Sequence, residues 1–525
     1  MAKYFSLKVV LLLSILFAVH TATAQQNSLR VNKNEIIFSA VKGTESKPET
    51  IAFSKKKRRE KINLLVTGEK SGSFKLDSSF LKQITGKKKL NLSIVFAPAK
   101  DFIGIAKAKL QVTGSAGKLL AEIDLRGLSL KGVEGDNEAS LKTIFEILGY
   151  HVDNGWSSLA NHEKPELQGE EIKAAYFRKA EKGKVEIIPV ARFSPDFQLP
   201  FGYYTNSKSG PQQHQVGVLS KTKTLPEQST LFPSLDSGTT SFDPGEAVFG
   251  LYNTSPTHSS YTDDSWNILL FPANASHASR VYPVKDHWGK LIAGNYLVCF
   301  EEALNGDYND YVFLVKNIKP VTEQEEYKTL MNGKNLDGWN IFLTGRDPDT
   351  DPEHNFLLED TVLHVSGREL GYIRTKQPFN NYHFVVEFKW GEKKWPPHEK
   401  LKRDAGICYN IPDNEPDSIW PKSIECQIQE GDVGDFWLLG FSTITVNDST
   451  NKPANHTRMI KQNDGEKPNG EWNSVEIISY NGTCVHIVNG VVVNRGNNAS
   501  VTGGRLLLQS EFAEVFYRNA RIRQL

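Results

Sequence analysis

From residue 27 to about 132, apolar and polar positions alternate with a period of two, broken by Gly and Pro and almost without helical spacing. Successive side chains of a strand point to opposite faces, so this pattern predicts half-buried strands assembled into a small β-sandwich. Leu90-Asn91-Leu92-Ser93-Ile94-Val95-Phe96-Ala97-Pro98 and Ile123-Asp124-Leu125-Arg126-Gly127 read as its closing strands, with Gly104 at a turn between them. The polar joint Gly132-Val133-Glu134-Gly135-Asp136-Asn137-Glu138 predicts a boundary. Beyond it, residues 139–150 place apolar side chains at helical spacing and reach a stop at Gly149, which predicts one short helix. A second β-rich stretch follows to about residue 320, then a charged linker, Pro320 to Tyr327, and alternation again as far as residue 525. The expected fold class is all-β, a multi-domain series of β-sandwiches with modules at 25–132, 139–320 and 323–525.

Length agrees with that division, because 525 residues exceed what a single core supports. The charges nearly cancel, 62 basic against 61 acidic, which leaves no electrostatic footprint for nucleic acid. The basic run Lys55-Lys56-Lys57-Arg58-Arg59 is read as a solvated strand end or loop in preference to a binding patch. At the front, Lys3 and Lys8, the apolar run Val9 to Val19 and then Ala22-Thr23-Ala24 have the order of a secretory signal peptide cleaved after Ala24, so residues 1–24 are expected to be removed. No later segment reaches the roughly 20 apolar residues of a membrane span, and no cysteine stands at the cleavage point for a lipid anchor. The mature chain is therefore expected to be exported to the periplasm or the medium and to be soluble there.

Four cysteines, Cys299, Cys408, Cys426 and Cys484, read as small buried hydrophobes, with a disulfide left open. Zinc is not expected, since no CxxC or HxxxH spacing occurs. Two other patterns carry chemistry. In the middle module, Glu301-Glu302 and Asn305-Gly306-Asp307-Tyr308-Asn309-Asp310 gather the hard oxygen donors that calcium prefers, and the expected ligands are Glu302, Asp307 and Asp310. The competing reading is a polar turn whose aspartates cap backbone amides without an ion. In the last module, the segment 423–432 alternates so that Ile424, Cys426 and Ile428 share one face and Glu425, Gln427 and Gln429 the other, with Trp437 close behind. A carboxylate, carboxamides and an indole are what a sugar needs, polar partners for its hydroxyls and a platform for its C–H faces.

The ordered motifs of the last module are Asn335-Leu336-Asp337-Gly338-Trp339, Gly371-Tyr372-Ile373-Arg374-Thr375, Asp404-Ala405-Gly406-Ile407-Cys408-Tyr409, Glu425-Cys426-Gln427-Ile428, Gly470-Glu471-Trp472-Asn473 and Leu507-Leu508-Gln509-Ser510-Glu511. Together they resemble the 3-keto-disaccharide hydrolase family over about residues 323–525. The front module resembles the immunoglobulin-like modules of exported bacterial proteins related to major sperm protein domains. The first resemblance implies a jelly roll of the concanavalin and laminin G type, and action on glucosides already oxidised at C3. A ketone at C3 acidifies the C2 hydrogen, so a base can remove it and the enolate can expel the group at C1. Water then adds, giving hydrolysis, or the unsaturated sugar leaves, giving a lyase.

Such chemistry needs a base, an acid for the leaving oxygen and partners for the enolate. The resemblance implies Glu425 as base, with Glu511 and Glu387 as candidates for the acid or a metal ligand. Gln427, Gln509, Arg374 and Lys389 would orient hydroxyls or hold the enolate, and Tyr372 and Trp437 would stack on the ring. Trp339 and Trp472 are expected in the core and His456 and His486 in ordinary hydrogen bonds, while a divalent cation at Glu430 and Asp432 is a further option. No organic cofactor is implied. The family's usual Asn-Ser-Gly-Ile appears here as Asp404-Ala405-Gly406-Ile407, and Cys408 stands where an aromatic or aliphatic residue is usual. Loops 346–355 and 447–470 are expected to rim the cleft. The rival functions are a glycan-binding protein without turnover and a surface scaffold that binds no sugar.

Overall fold

A computed structural model describes residues 29–525 apart from 57–60, 80–86, 134, 156–166, 223–226 and 274–275. The expected signal peptide and most of the basic run at 55–59 lie outside the described residues. The chain divides into two compact units, one ending at Lys131 and the other beginning at Gly132.

In the first unit alternation becomes burial. Along Lys89–Phe96 the side chains of Leu90, Leu92, Ile94 and Phe96 are buried while Lys89 and Asn91 face water. Two four-stranded sheets result. One runs Leu29–Val31, Glu49–Lys55, Lys89–Phe96 and Phe74–Leu76, and the other Glu35–Val41, Leu119–Leu130, Gly104–Thr113 and Asn63–Thr67.

The second unit opens with the helix Leu141–Leu148. Ser140 caps it by accepting from the Thr143 amide, and Gly149 ends it at φ 82°, a left-handed conformation that a glycine adopts without steric cost. A β-sandwich follows, one sheet built around Val185–Pro195, Tyr311–Lys316 and Leu291–Phe300 and the other around Gly210–Leu219 and Leu199–Ser207. The last part of the chain forms another sandwich of two eight-stranded sheets. Its first sheet places Ala513–Gln524, Tyr382–Lys394, Asn473–Tyr480 and Thr483–Val488 side by side. Its second sheet runs, in spatial order, Trp339–Leu343, Gly371–Thr375, Gly503–Ser510, Gly406–Ile411, Ser423–Gln427, Phe436–Leu439 and His456–Met459. Between them lies one core that includes Phe384, Val386 and Phe388 from the first sheet and Ile373, Ile407, Ile424, Cys426 and Leu508 from the second. The fold is all-β, as the alternation predicts.

The two sandwiches of this unit share a further apolar layer. Ile478, Tyr480, Val485 and Ile487, on the outer face of the first sheet, pack with Tyr204, Tyr252, Tyr261 and Trp266 of the preceding sandwich. At its edge the Arg523 guanidinium donates to both carboxylate oxygens of Asp263, at 2.7 and 2.8 Å, and to Ser265 Oγ at 2.7 Å. Asp263 also caps the helix Asp264–Leu270 through the Ser265 amide. Burial alone would raise the Asp263 carboxyl, but Arg523 overrides it and holds the group at about 2. One outer face of the last sandwich is thus taken up by a neighbour, and the polar row around Glu425 belongs to the other.

All four cysteines are buried and free, so none forms a disulfide. Among the described residues no helix is long and apolar enough to cross a membrane. Replacing Asp263 by Ala leaves Arg523 charged and buried without its partner, and the expected cost is about 3–5 kcal/mol of unfolding free energy. Urea denaturation of the purified variant measures it, and a loss well below 1 kcal/mol would show that this pair does not hold the sandwiches together.

Candidate functional site

The register of the second sheet sets the site. In antiparallel pairs, residues directly opposite each other project to the same face. One row across the outer face reads Phe342, Tyr372, Gln509, Gly406 and Gln427, and the next reads Arg374, Leu507, Cys408, Glu425, Trp437 and Arg458. Beyond the first row, Asp404 and Glu511 pair in an isolated antiparallel backbone β-bridge, and the Gln429 carboxamide donates to Asp404 Oδ2. Three carboxyls and three carboxamides therefore come together from three separate stretches of chain. Alternate residues Ile407, Cys426 and Leu508 point the other way into the core.

Gly406 makes the close approach feasible. A Cβ there would run into Glu425 Oε1 and stand 2.9 Å from Gln509 Oε1, so both oxygens converge on the space that the absent side chain leaves. Glu425 is 5% exposed and Gln509 2%. Gln509 Nε2 donates to Cys408 Sγ at 3.3 Å, whereas Gln509 Oε1 and Asp404 Oδ1 are buried acceptors with no hydrogen-bond partner among the described residues. Buried acceptors without donors are costly, and they mark where a donating group is wanted.

The electrostatics follow from burial without counter-charge. Burial first, then the neighbouring Glu511 and Asp404, push Glu425 well above the usual carboxylate range, opposed by a hydrogen bond from Gln509. Burial, then Asp404, push Glu511 up to about 8. Burial raises Asp404 to about 6, with Asp432 adding to it and Gln429, the Ala405 amide and Gln427 opposing. Among the described residues no Lys, Arg or His shares in the shifts of Glu425 and Glu511. Asp432 itself is bridged by Lys402 at 3.1 Å and by Arg458 at 2.9 Å.

The structure brings together Glu425, Gln427, Gln509 and Glu511, with Trp437 half-buried at the end of the row. Tyr372 and Arg374 share that face but are committed elsewhere. The Tyr372 hydroxyl donates to Asp417 at 2.8 Å, Arg374 Nη2 lies 3.0 Å from the same carboxylate, and Tyr372 stacks on Phe342. Asp417 belongs to the connection 412–422 between the strands that carry Cys408 and Glu425, and it reaches across Gly503–Ser510 to do this. Trp420 of the same connection packs with Trp437 over Cys408 and Leu507. That connection lies over this face, and of the expected rim loops 447–470 contributes the His456–Met459 strand at one edge of the sheet, with His456 against Trp420, while Asp349 of 346–355 accepts from the Ile341 amide at the other.

Several expectations need correction. Glu387 and Lys389 lie on the first sheet, facing outward on the far side of the core. Glu387 accepts from Arg518 and Asn519 at 2.7 Å each, and Lys389 Nζ sits 5.1 Å from the Trp472 ring. Alternation tells which face of a strand a residue takes, not which of two sheets the strand joins. Trp339 is in the core, whereas Trp472 is half-buried under the Arg518 guanidinium, 3.9 Å away. His486 is buried between the Tyr409 hydroxyl and the Gly434 carbonyl, each at 2.9 Å, and His456 stands edge-on to Trp420. Glu430 is held by Arg403 and Asn469, so together with the bridged Asp432 it is occupied by protein cations and donors.

The expected calcium ligands are likewise engaged. Asp310 accepts from the Glu302 amide, Glu302 from the Tyr311 hydroxyl, and Asp307 from the Asn305 carboxamide and the Asn309 amide. Neighbouring Glu301 accepts from the amides of Ala303 and Tyr308, and burial, with Asp307 beside it, pushes it up to about 7. Among the described residues no group of three or more His, Cys, Asp or Glu is arranged to hold a metal ion, and these carboxylates accept from backbone amides as the competing reading expects.

Asp404 and Gly406 are the positions in this cluster to which sequence reasoning gave no role. The pattern Asp404-Ala405-Gly406-Ile407 contains the signal, a carboxylate two residues from a strand glycine, but only the pairing with Glu511 and Glu425 gives it meaning.

Residues 326–523 match the model of the 3-keto-alpha-glucoside-1,2-lyase-like domain family. The search of curated proteins returns no match. Among solved structures, a candidate glycosyl hydrolase from Parabacteroides distasonis ATCC 8503 is similar at 20% identity and a TM-score of 0.29, covering 39% of this chain and 98% of that one. The carbohydrate binding module CBM66 from Bacillus subtilis is similar at 7% identity and a TM-score of 0.25, covering 36% and 96%. Bacillus licheniformis β-glucanase is similar at 10% identity and a TM-score of 0.26, covering 38% and 97%.

Gly406→Ala tests the convergence directly. The added methyl displaces the Glu425 carboxyl, with an expected cost of about 1–3 kcal/mol in unfolding free energy and an intact far-ultraviolet spectrum. A variant as stable as the parent would show that the notch is not tight.

Proposed function

We propose that residues 326–523 cleave glucosides oxidised at C3 by base-initiated elimination. The family match supports a carbohydrate-active or carbohydrate-binding role. The observation that carries the sharper reading is a group of three carboxyls on an outer sheet face whose neighbouring arginines are paired with other acids, beside two buried acceptors that lack donors among the described residues. Sugar hydroxyls are donors of the kind those acceptors lack.

In this reading Glu425 takes the C2 proton. The C–H electron pair becomes the C2–C3 enolate, which re-forms the C3 ketone, makes a C1–C2 double bond and expels the C1 oxygen with its substituent. Glu511, neutral to about pH 8, gives that oxygen its proton. Water adding across the new double bond completes a hydrolysis, and release before that step makes the protein a lyase. Gln509 Oε1 and Asp404 Oδ1 accept from ring hydroxyls and fix the sugar over the Gly406 notch. The reading includes export, resting on the signal-peptide pattern of residues 1–24.

The test is incubation of the purified protein with a 3-keto-glucoside carrying a chromogenic leaving group. Release is expected from the parent chain, and Glu425→Gln is expected to slow it by about 10²–10⁴-fold while sugar binding persists. Binding without release by the parent would identify a glycan-binding protein, and neither binding nor release a scaffold. The pH dependence has a definite sign. Glu425 must lose its proton and its affinity for that proton is raised, so the acid limb of the profile climbs at a higher pH than an ordinary carboxylate would give. Glu511 must keep its proton, so the rate falls above about pH 8.

A further inference from the structure

We propose that Asp404 is a positioning residue that acts through Glu511 and Glu425, its charge deciding which of the three carboxyls holds the proton. The geometry supports this from each element packed around it. Asp404 precedes the Gly406–Ile411 strand and forms a backbone β-bridge with Glu511, which follows the Gly503–Ser510 strand. From the Ser423–Gln427 strand and the turn after it come Glu425, the carboxamides of Gln427 and Gln429, and Asp432. The adjacent cations are spent on other acids, Lys402 and Arg458 on Asp432 and Arg403 on Glu430. The thiols of Cys408 and Cys426 hold their protons more tightly because burial and then Glu425 disfavour their anions, and Tyr517 does so through burial, then Cys408 and Glu425.

Like charges in one poorly solvated site cannot all ionise together, so the first to do so suppresses the others. The Gln429 carboxamide donates to Asp404 Oδ2, and such a donor favours the charged form of Asp404. Glu511 and Glu425 have no comparable set: Gln509 alone opposes the rise of Glu425, and no donor opposes that of Glu511. The negative charge therefore resides first on Asp404. Glu511 stays a neutral acid because of it, and Glu425 becomes a more strongly proton-seeking base once ionised. The kinetic side of this rests on the proposed function, whereas the order of proton loss does not.

The experiment is a titration of the carboxyl carbons in protein labelled with 13C at its Asp and Glu side chains, comparing the parent with Asp404→Asn. Asparagine keeps the size and the capacity to bond Gln429 but removes the charge. The titration midpoint of Glu511 is expected to fall by about one pH unit or more, with that of Glu425 moving the same way. Unchanged midpoints in folded Asp404→Asn overturn the proposal. Should that variant fail to fold, Gln429→Leu decides instead. Loss of the donor drives the proton onto Asp404, so a lower Glu511 midpoint supports the proposal and an unchanged one overturns it. A merely structural Asp404 would alter stability and leave the midpoints in place. If the parent chain turns over a 3-keto-glucoside, the alkaline limb of its rate profile moves down with Glu511 in Asp404→Asn. If it turns over none, the proposed function fails while the carboxyl titration still decides the role of Asp404.

Discussion

The arrangement depends on one outer sheet face being occupied by a neighbour. A two-sheet sandwich has two outward faces, and sequence alternation makes each of them partly polar. Here the layer formed by Ile478, Tyr480, Val485 and Ile487 is sealed by aromatic side chains of the preceding sandwich and fastened by Arg523 and Asp263. A charge pair of this kind adds little net stability in itself, but it penalises any register that separates the partners. With that face closed, the polar rows around Glu425 form the opposite outward surface of the same sandwich.

The character of that surface comes from low solvation rather than from any single residue. Glu425, Glu511 and Asp404 would be ordinary acids on a wet strand. The Gly406 notch and the folded connection 412–422 instead keep this face largely out of water, and the local cations are committed to Asp432, Glu430 and Asp417. Arg374 illustrates the arrangement. It lies in the same row as Glu425, yet its charge is balanced by Asp417, so it does not draw the proton from the neighbouring acids.

Much of the fold was legible because strand alternation is a local signal. The helix at 141–148, the core positions 424, 426 and 428 and the polar positions 425 and 427 all follow from counting residues. Pairing is not local. Glu387 and Lys389 looked equivalent to Glu425 along their strand, and only the assignment of Tyr382–Lys394 to the other sheet separates them. For the same reason Asp404 looked like a variation within a motif until its backbone bridge to Glu511 placed it among the acids. The acidic loop at 301–310 shows a second limit, because capping of backbone amides and cation binding call for the same residues.

The four sulfhydryls carry one last implication. Each is sealed among apolar or polar core atoms, with Cys426 and Cys484 in the sandwich core and Cys408 beneath Trp420 and Trp437. A thiol so enclosed is a poor nucleophile, since reaction requires its anion and burial disfavours that form. The architecture consequently needs neither an oxidant to mature nor protection from glutathione, and alkylating reagents should find their targets only after the sheets come apart.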